Sequence, residues 1–261
     1  MKTKIIICGA MGRMGQRLVA LVQEDKSLQL AGALESPRHP MSGQKISGGV
    51  SLCADLNQLA NQAQVLIDFT TPAATLEHLK IVSEWKNFSA VIGTTGFSKE
   101  EQELIAQYSK KIPIVFSPNF SVGVNLLFDV VRKVAEKVPD YDIEIVEAHH
   151  NQKKDAPSGT ALGLAREITD ALHRSMDQDL VHGRFGEVGA RTKKEIGMHA
   201  IRGGDIVGDH TVIFASAGER LELTHRASSR DAFASGALRA AAWVTQKPAG
   251  LYTMKDVLKK Q

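Results

Sequence analysis

Aromatic side chains are scarce: nine Phe, three Tyr and two Trp make up 5% of the 261 residues. Any core built from this chain is therefore mostly aliphatic. Cysteine is scarcer, with only Cys8 and Cys53. Two thiols make no disulfide framework, and a cytosolic chain keeps them reduced. Charge of one sign is also missing. The 32 Lys and Arg against 29 Asp and Glu give a formal net charge of +3, with the basic residues scattered. Nucleic-acid binders cluster their basic residues, so that class is set aside, while the mild excess suits an anionic small molecule. No apolar run approaches the roughly 18 residues needed to span a membrane. Met1-Lys2-Thr3-Lys4 followed by Ile5-Ile6-Ile7-Cys8 has the outline of a secretion signal, but the apolar stretch is too short and Gly9, Gly12 and Gly15 follow at once. A soluble, cytoplasmic chain with no membrane or nucleic-acid partner is expected.

What is present is patterned. Lys4–Gly9 reads as a buried strand, Met14–Asp25 as a helix with Leu18, Leu21 and Val22 on one face, and Leu28–Glu35 as a second strand. Val65–Phe69 is a strand, and a helix opens at Thr71-Pro72 and runs to about Trp85; proline is well tolerated in a first helical turn. Ser89–Ile92 is a strand. Ser98-Lys99-Glu100-Glu101 forms a capping box for a helix to Lys110, and Ile112–Phe116 is another strand. This alternation implies a parallel sheet with helices on both faces. The pattern then changes. Val122–Val138 is one long amphipathic helix, Asp142–Glu147 alternates as a half-buried strand does, Ser158–Leu172 is helical, and 189–227 holds strands separated by Gly turns. Asp231–Gln246 is an Ala-rich helix expected to pack on the first block. The fold class is α/β: a Rossmann-like parallel-sheet domain, 1–121 with 228–261, and a second α+β domain with a mixed sheet, 122–227. The second domain is expected to bind substrate and to form oligomers.

Gly9-Ala10-Met11-Gly12-Arg13-Met14-Gly15 follows the first strand and opens the first helix. That is the context of a dinucleotide fingerprint, although the spacing is G-x-x-G-x-x-G rather than G-x-G-x-x-G. The glycines allow a tight turn, backbone approach to a pyrophosphate and close helix–strand packing. Glu35, at the end of the second strand, is placed to bond ribose hydroxyls. A ligand-free βα turn explains each feature singly; strand, glycines, helix, second strand and acid together favour a nicotinamide cofactor.

Glu147-Ala148-His149-His150-Asn151-Gln152-Lys153-Lys154-Asp155-Ala156-Pro157-Ser158-Gly159-Thr160 carries two imidazoles, two ammonium groups and a helix start. Histidine exchanges protons near neutral pH, lysine holds carboxylates, and the N–H groups at Gly159 and Thr160 make an anion site. Two other readings compete. Adjacent His149 and His150 on a strand point to opposite faces, and no further ligand lies at a familiar zinc spacing, so no metal is expected. A solvated polar loop, on the residues alone, stands level with a catalytic site.

These blocks resemble the dihydrodipicolinate reductases (4-hydroxy-tetrahydrodipicolinate reductases) over essentially the whole chain. The likeness extends to Asp68-Phe69-Thr70, Gly93-Thr94-Thr95-Gly96, Ser117-Pro118-Asn119-Phe120-Ser121-Val122-Gly123-Val124-Asn125, Arg202-Gly203-Gly204-Asp205-Ile206-Val207-Gly208 and His225-Arg226-Ala227. It implies an NAD(P)H-dependent oxidoreductase of lysine and diaminopimelate biosynthesis that reduces a cyclic dihydrodipicolinate-type dicarboxylate to tetrahydrodipicolinate. Gly9, Ala10, Met11, Gly12, Arg13 and Met14 would cradle the pyrophosphate, and Glu35 would hold the adenine ribose. Gly93, Thr94, Thr95, Ser117, Pro118, Asn119 and Phe120 would line the nicotinamide side. His149 would donate the proton, Lys153 would assist it and hold substrate, and His150, Gly159 and Thr160 would bind carboxylates. The family's usual tetramer would follow. One departure bears on the cofactor: many members place Arg after the ribose-binding acid, whereas Ser36-Pro37 follows Glu35 here, leaving Arg38 and His39 as the nearest cations. NADH is therefore expected to serve at least as well as NADPH. Another oxidoreductase of an amino- or imino-diacid is the nearest alternative, and a non-catalytic NAD-sensing module is a more distant one.

Overall fold

Ile5, Ile6, Ile7 and Cys8 are fully buried, because the strand they form has helices on both sides. The computed structural model describes residues 2–259, which divide into two units. The first comprises the chain up to Val122 and from Arg230 onward; the second is Gly123–Ser229.

In the first unit, β1 (Thr3–Cys8), β2 (Leu28–Leu34), β3 (Leu52–Cys53), β4 (Val65–Asp68), β5 (Ser89–Ile92), β6 (Pro113–Phe116) and β12 (Gly250–Tyr252) form a sheet. Its order is β12-β6-β5-β4-β1-β2-β3, and every pairing is parallel. Alternate residues serve opposite faces. Ile5 and Ile7 join α1 (Arg13–Glu24), α6 (Asp231–Val244) and α7 (Met254–Leu258) in one core. Ile6 and Cys8 join α2 (Pro72–Val82) and α3 (Lys99–Tyr108) in another. The start of α3 is fixed by its capping box: Ser98 Oγ accepts the Glu101 N–H at 3.2 Å and the Glu101 carboxylate accepts the Ser98 N–H at 2.7 Å. Helix α6 lies so near the chain at Phe120 that a Cβ at Gly236 would overlap the Phe120 carbonyl oxygen, and Arg17 of α1 pairs with Asp231 at 2.6 Å.

In the second unit, α4 (Val122–Lys137) and α5 (Gly159–Leu172) cover one face of a mixed sheet of β7 (Asp142–His149), β8 (Leu180–His182), β9 (Ile196–Arg202), β10 (Asp209–Ser216) and β11 (Glu219–Arg226). The order is β11-β10-β7-β9-β8. Strand β7 runs antiparallel to β10 and parallel to β9. Ile143, Ile145, Met198, Val212 and Phe214 face the helices. The opposite face carries Glu144, which takes Arg184 and His199 each at 2.8 Å.

Several boundaries differ from the sequence reading. Leu52 and Cys53 form an edge strand, β3, that the pattern did not show. Strand β7 runs past Glu147 to His149, since the alternation continues through residues that are polar for another reason. Strands β8 and β12 have three residues each and α7 has five, too few to show a period. Among the described residues, no helix is long and apolar enough to cross a membrane.

Candidate active site

The first unit holds a glycine turn between β1 and α1. Gly9 has φ +67°, a left-handed conformation that glycine adopts without steric cost. Its carbonyl accepts the Gly12 N–H at 2.9 Å. A Cβ at Gly15 would overlap that carbonyl oxygen and the Ala10 backbone, so the first turn of α1 lies directly against the loop. No side chain caps this helix, and its leading N–H groups are free to meet an anion. Glu35, just past β2, reaches back: its carboxylate accepts the Met11 N–H at 3.1 Å and the Ser36 N–H at 3.0 Å. A cavity of about 520 Å³ bordered by Gly9, Glu35, Ser36, Pro37, Thr70 and His78 opens beside them. A cradle that any Cβ would fill, next to a carboxylate and a cavity of this size, fits a dinucleotide.

The remaining residues expected at the cofactor range from buried to exposed. Gly93 and Phe120 are brought together by Phe69: a Cβ at Gly93 would overlap the Phe69 ring, which meets the Phe120 ring edge-on at 5.7 Å. Ser117 Oγ donates to the Asn119 carbonyl at 2.9 Å, and the Asn119 side chain accepts the Ser121 N–H at 2.8 Å, which shapes this loop from within. Thr94 is buried, with its hydroxyl 2.8 Å from that of Thr75, so its side chain serves the fold. Thr95 and Pro118 are exposed, as are Gly12 and Arg13.

Asp68 ends β4 fully buried; it accepts from the Thr70 N–H at 2.9 Å and the Thr70 hydroxyl at 2.6 Å, and it meets His78 Nδ1 at 2.7 Å. Ligand-type atoms of Cys8, Asp68 and His78 lie within 4.8 Å of one another, a grouping that sequence reading did not foresee. Both Asp68 oxygens are engaged in these bonds. Burial, then Asp68 and Glu35, push the Cys8 thiol well up, which keeps it protonated.

The second unit builds its site by continuing the strand alternation beyond the apolar core. Ile143 and Ile145 face the helices, so Glu147 and His149 face the same side. The same parity carries β9 from Met198 to Arg202 and β10 from Val212 to His210. Four polar side chains thus converge at one end of the helix-covered face. Glu147 is fully buried. Arg202 grips it with two bonds of 2.8 Å, the Ser158 N–H donates to it at 3.0 Å, and His149 Nδ1 lies 2.6 Å away. Burial raises this carboxyl, but the bonds from Arg202 and His149 and the Ser158 N–H outweigh it and hold the group below the ordinary carboxylate value. The His149 imidazole is held below its usual value by burial, with Glu147 opposing and Lys153 and Arg202 adding to the shift. His210 stacks edge-on against His149 at 5.1 Å. Burial above all, then the charge of His149, pushes it down to about 3, so it stays neutral near pH 7.

Lys153 binds both oxygens of Asp155 at 2.8 Å, and Arg202 ties the same loop down through the Asp155 carbonyl at 2.7 Å. Ser158 caps α5, accepting the Ala161 N–H at 3.2 Å while its hydroxyl meets His210 Nε2 at 3.0 Å. Gly159 and Thr160 follow at the helix start. His150 lies just past the end of β7, half-buried. The structure therefore gathers His149, Lys153 and the start of α5 around Glu147. Sequence reading missed the roles of Glu147, Ser158, Arg202 and His210. The spacing of Glu147 and His149, two apart on a strand, was a usable signal.

Residues 3–120 match the family model described as dihydrodipicolinate reductase, N-terminus, and residues 123–258 match its C-terminus counterpart. The chain belongs to the dihydrodipicolinate reductase family. It is 49% identical to the 4-hydroxy-tetrahydrodipicolinate reductase of Geobacter sulfurreducens and 48% identical to that of Syntrophus aciditrophicus, each match covering 98% of both chains. The solved structure of a dipicolinate-bound dihydrodipicolinate reductase from Paenisporosarcina sp. TG-14 is similar over 99% of this chain and 100% of that one, with TM-score 0.79 and 26% identity. As a dihydrodipicolinate reductase the chain is an NAD(P)H-dependent oxidoreductase of lysine and diaminopimelate biosynthesis.

Proposed function

We propose that the chain divides its reaction between the two blocks: 1–121 with 228–261 binds the dinucleotide, and 122–227 binds a cyclic dihydrodipicolinate-type dicarboxylate and forms the oligomer. When bound, NAD(P)H supplies the hydride. Gly9, Ala10, Met11, Gly12, Arg13 and Met14 border the pyrophosphate, which takes the N–H groups of Arg13 and Met14 at the start of α1, and Glu35 holds the adenine ribose. Gly93, Thr94, Thr95, Ser117, Pro118, Asn119 and Phe120 border the nicotinamide, Thr94 through its backbone. His149 gives the proton to the ring atom on which charge develops. Lys153 leaves Asp155 for a substrate carboxylate, and His150 with the N–H groups of Gly159 and Thr160 holds the carboxylates. The observation that carries this reading is the buried Glu147 with His149 at 2.6 Å, beside the capped start of α5. A polar loop would not bury a carboxylate with three sets of donors, since charges are buried only when paired. Incubation with the cyclic dihydrodipicolinate precursor and NADH tests it: absorbance of the reduced nicotinamide falls if the reading holds and stays constant if it does not.

NADH is expected to match or exceed NADPH in kcat/KM. The Glu35 carboxylate sits 3.1 Å from the Met11 N–H and would repel a 2′-phosphate, and neither Ser36 nor Pro37 offers a compensating charge. A large NADPH advantage in paired assays would refute this. The protein works as a homotetramer in the cytoplasm on this reading. The family resemblance supports the tetramer, as does a sheet in the second unit with one face clear of its own helices. Sedimentation at micromolar concentration is expected to give the tetramer mass; a monomer would contradict it.

A further inference from the structure

We infer that Glu147, gripped by Arg202 and Ser158, is a positioning residue that places the neutral-state proton of His149 on Nδ1 and so makes Nε2 the atom that exchanges protons with substrate. The inference rests on the proposed proton-donor role of His149 and adds which nitrogen acts and what holds it there.

Glu147 and His149 share a strand face, and Nδ1 lies 2.6 Å from Oε2. The second oxygen, Oε1, takes the Ser158 N–H at 3.0 Å and an Arg202 N–H at 2.8 Å, while Oε2 takes the other Arg202 N–H at 2.8 Å. Every direct partner donates, as an ionised carboxylate requires. His149 Nδ1 must then donate as well, which fixes the tautomer. The imidazole cannot turn over without placing a carbon against a buried charge. Its other nitrogen looks towards Gly208, where a Cβ would come within 3.0 Å of Nε2; glycine avoids that close contact.

The groups around the ring agree. Lys153 and Arg202 bring positive charge towards it, and His210 packs edge-on at 5.1 Å. Asp155 faces Lys153 at 2.8 Å, and Asp209 pairs with Arg226 at 3.7 Å. Glu147 is therefore the anion available to an imidazolium at position 149. Ser158 links two tasks. Its N–H holds Glu147, and its hydroxyl caps the helix whose first residues are the proposed carboxylate cradle. A shift of Glu147 would move proton donor and cradle apart.

The test has two readouts. In the unmodified protein, nitrogen-15 shifts of His149 report the tautomer directly. The neutral ring is expected to carry its proton on Nδ1, with Nε2 resonating as the unprotonated nitrogen; a proton on Nε2 overturns the inference. Glu147→Gln keeps the shape and removes the charge. Without that charge the imidazolium is less stable and titrates lower, and a carboxylate at such range is worth about one to three pKa units. Because a donor must be protonated, the basic limb of the kcat profile should move about one unit or more to lower pH. The kcat at pH 7 should fall about tenfold or more, with cofactor affinity unchanged. Glu147→Asp, which keeps the charge, should return the limb towards the parental position. A limb in Glu147→Gln that coincides with the parental one overturns the inference. If Glu147→Gln fails to fold, the tautomer in the parent decides alone. A parental kcat in His149→Gln would sink the proton-donor reading itself, whereas an inactive His149→Gln together with a proton on Nε2 would sink only this inference.

Discussion

Replacing His149 with glutamine is expected to lower kcat by about 10²–10⁴-fold, the range that a positioned general acid contributes. Glutamine keeps a hydrogen-bonding group near Glu147 but has no proton to release. The residues proposed for the cofactor belong to the first unit and His149 to the second, so NADH affinity should stay at the parental value. Lys153→Met should instead raise KM as well as lower kcat, because the ammonium now bound to Asp155 at 2.8 Å is meant to hold a substrate carboxylate. The pH dependence follows from the same groups. Burial holds the imidazole low in the free protein, and a donor is active only when protonated, so kcat/KM should decline with rising pH through a limb below the ordinary histidine value. A bound dicarboxylate brings negative charge and raises that pKa. The limb in kcat, which reports the complex, should therefore lie at higher pH than the limb in kcat/KM. Steady-state profiles of parent and variants over pH 5–9 check all three points. A His149→Gln protein that turns over at the parental rate would remove the imidazole from the chemistry.

How much of this was legible beforehand depended on how local the information was. The parallel sheet was legible because Ile5-Ile6-Ile7-Cys8 is apolar on both sides, as a strand covered by two helix layers must be. The start of α3 was legible because Ser98 and Glu101 bond each other across three residues. The glycine turn was legible for the same reason, although its spacing gave no hint that Glu35 reaches the Met11 N–H. The second site was half legible. His149, Lys153 and the start of α5 stand within one short stretch of chain. Arg202 and His210 come from strands whose place beside β7 follows from sheet order and register, neither of which is written in local pattern. In sequence, Arg202 reads as one more charge before a Gly turn. Short elements such as β8 and β12 were invisible because three residues carry no period, and they form by completing edges that other strands provide. The Asp68, Thr75, Thr94 and His78 network was hidden likewise, since it unites residues from separate elements through side chains.

The glycine turn gives the other large expected effect. A Cβ at Gly15 would overlap the Gly9 carbonyl oxygen and press on the Ala10 backbone. Both obstacles are main chain, so no rotamer change relieves them, and α1 must shift away from the end of β1. Overpacking of this kind typically costs 1–3 kcal/mol. In Gly15→Ala that cost falls on the backbone geometry that presents N–H groups to the pyrophosphate. The NADH dissociation constant should rise about a hundredfold, which corresponds to roughly 2.7 kcal/mol, and the denaturation midpoint should fall with it. Gly12→Ala makes a graded comparison, because its Cβ would meet the same carbonyl at 3.1 Å, a contact that a small backbone adjustment relieves. It should lose less stability than Gly15→Ala while still intruding on the space left for the anion. Calorimetric titration with NADH and urea denaturation of both variants separate the two effects. Parental NADH affinity in Gly15→Ala would mean that close backbone approach is not what the turn provides, and the match between this loop and a dinucleotide would fail.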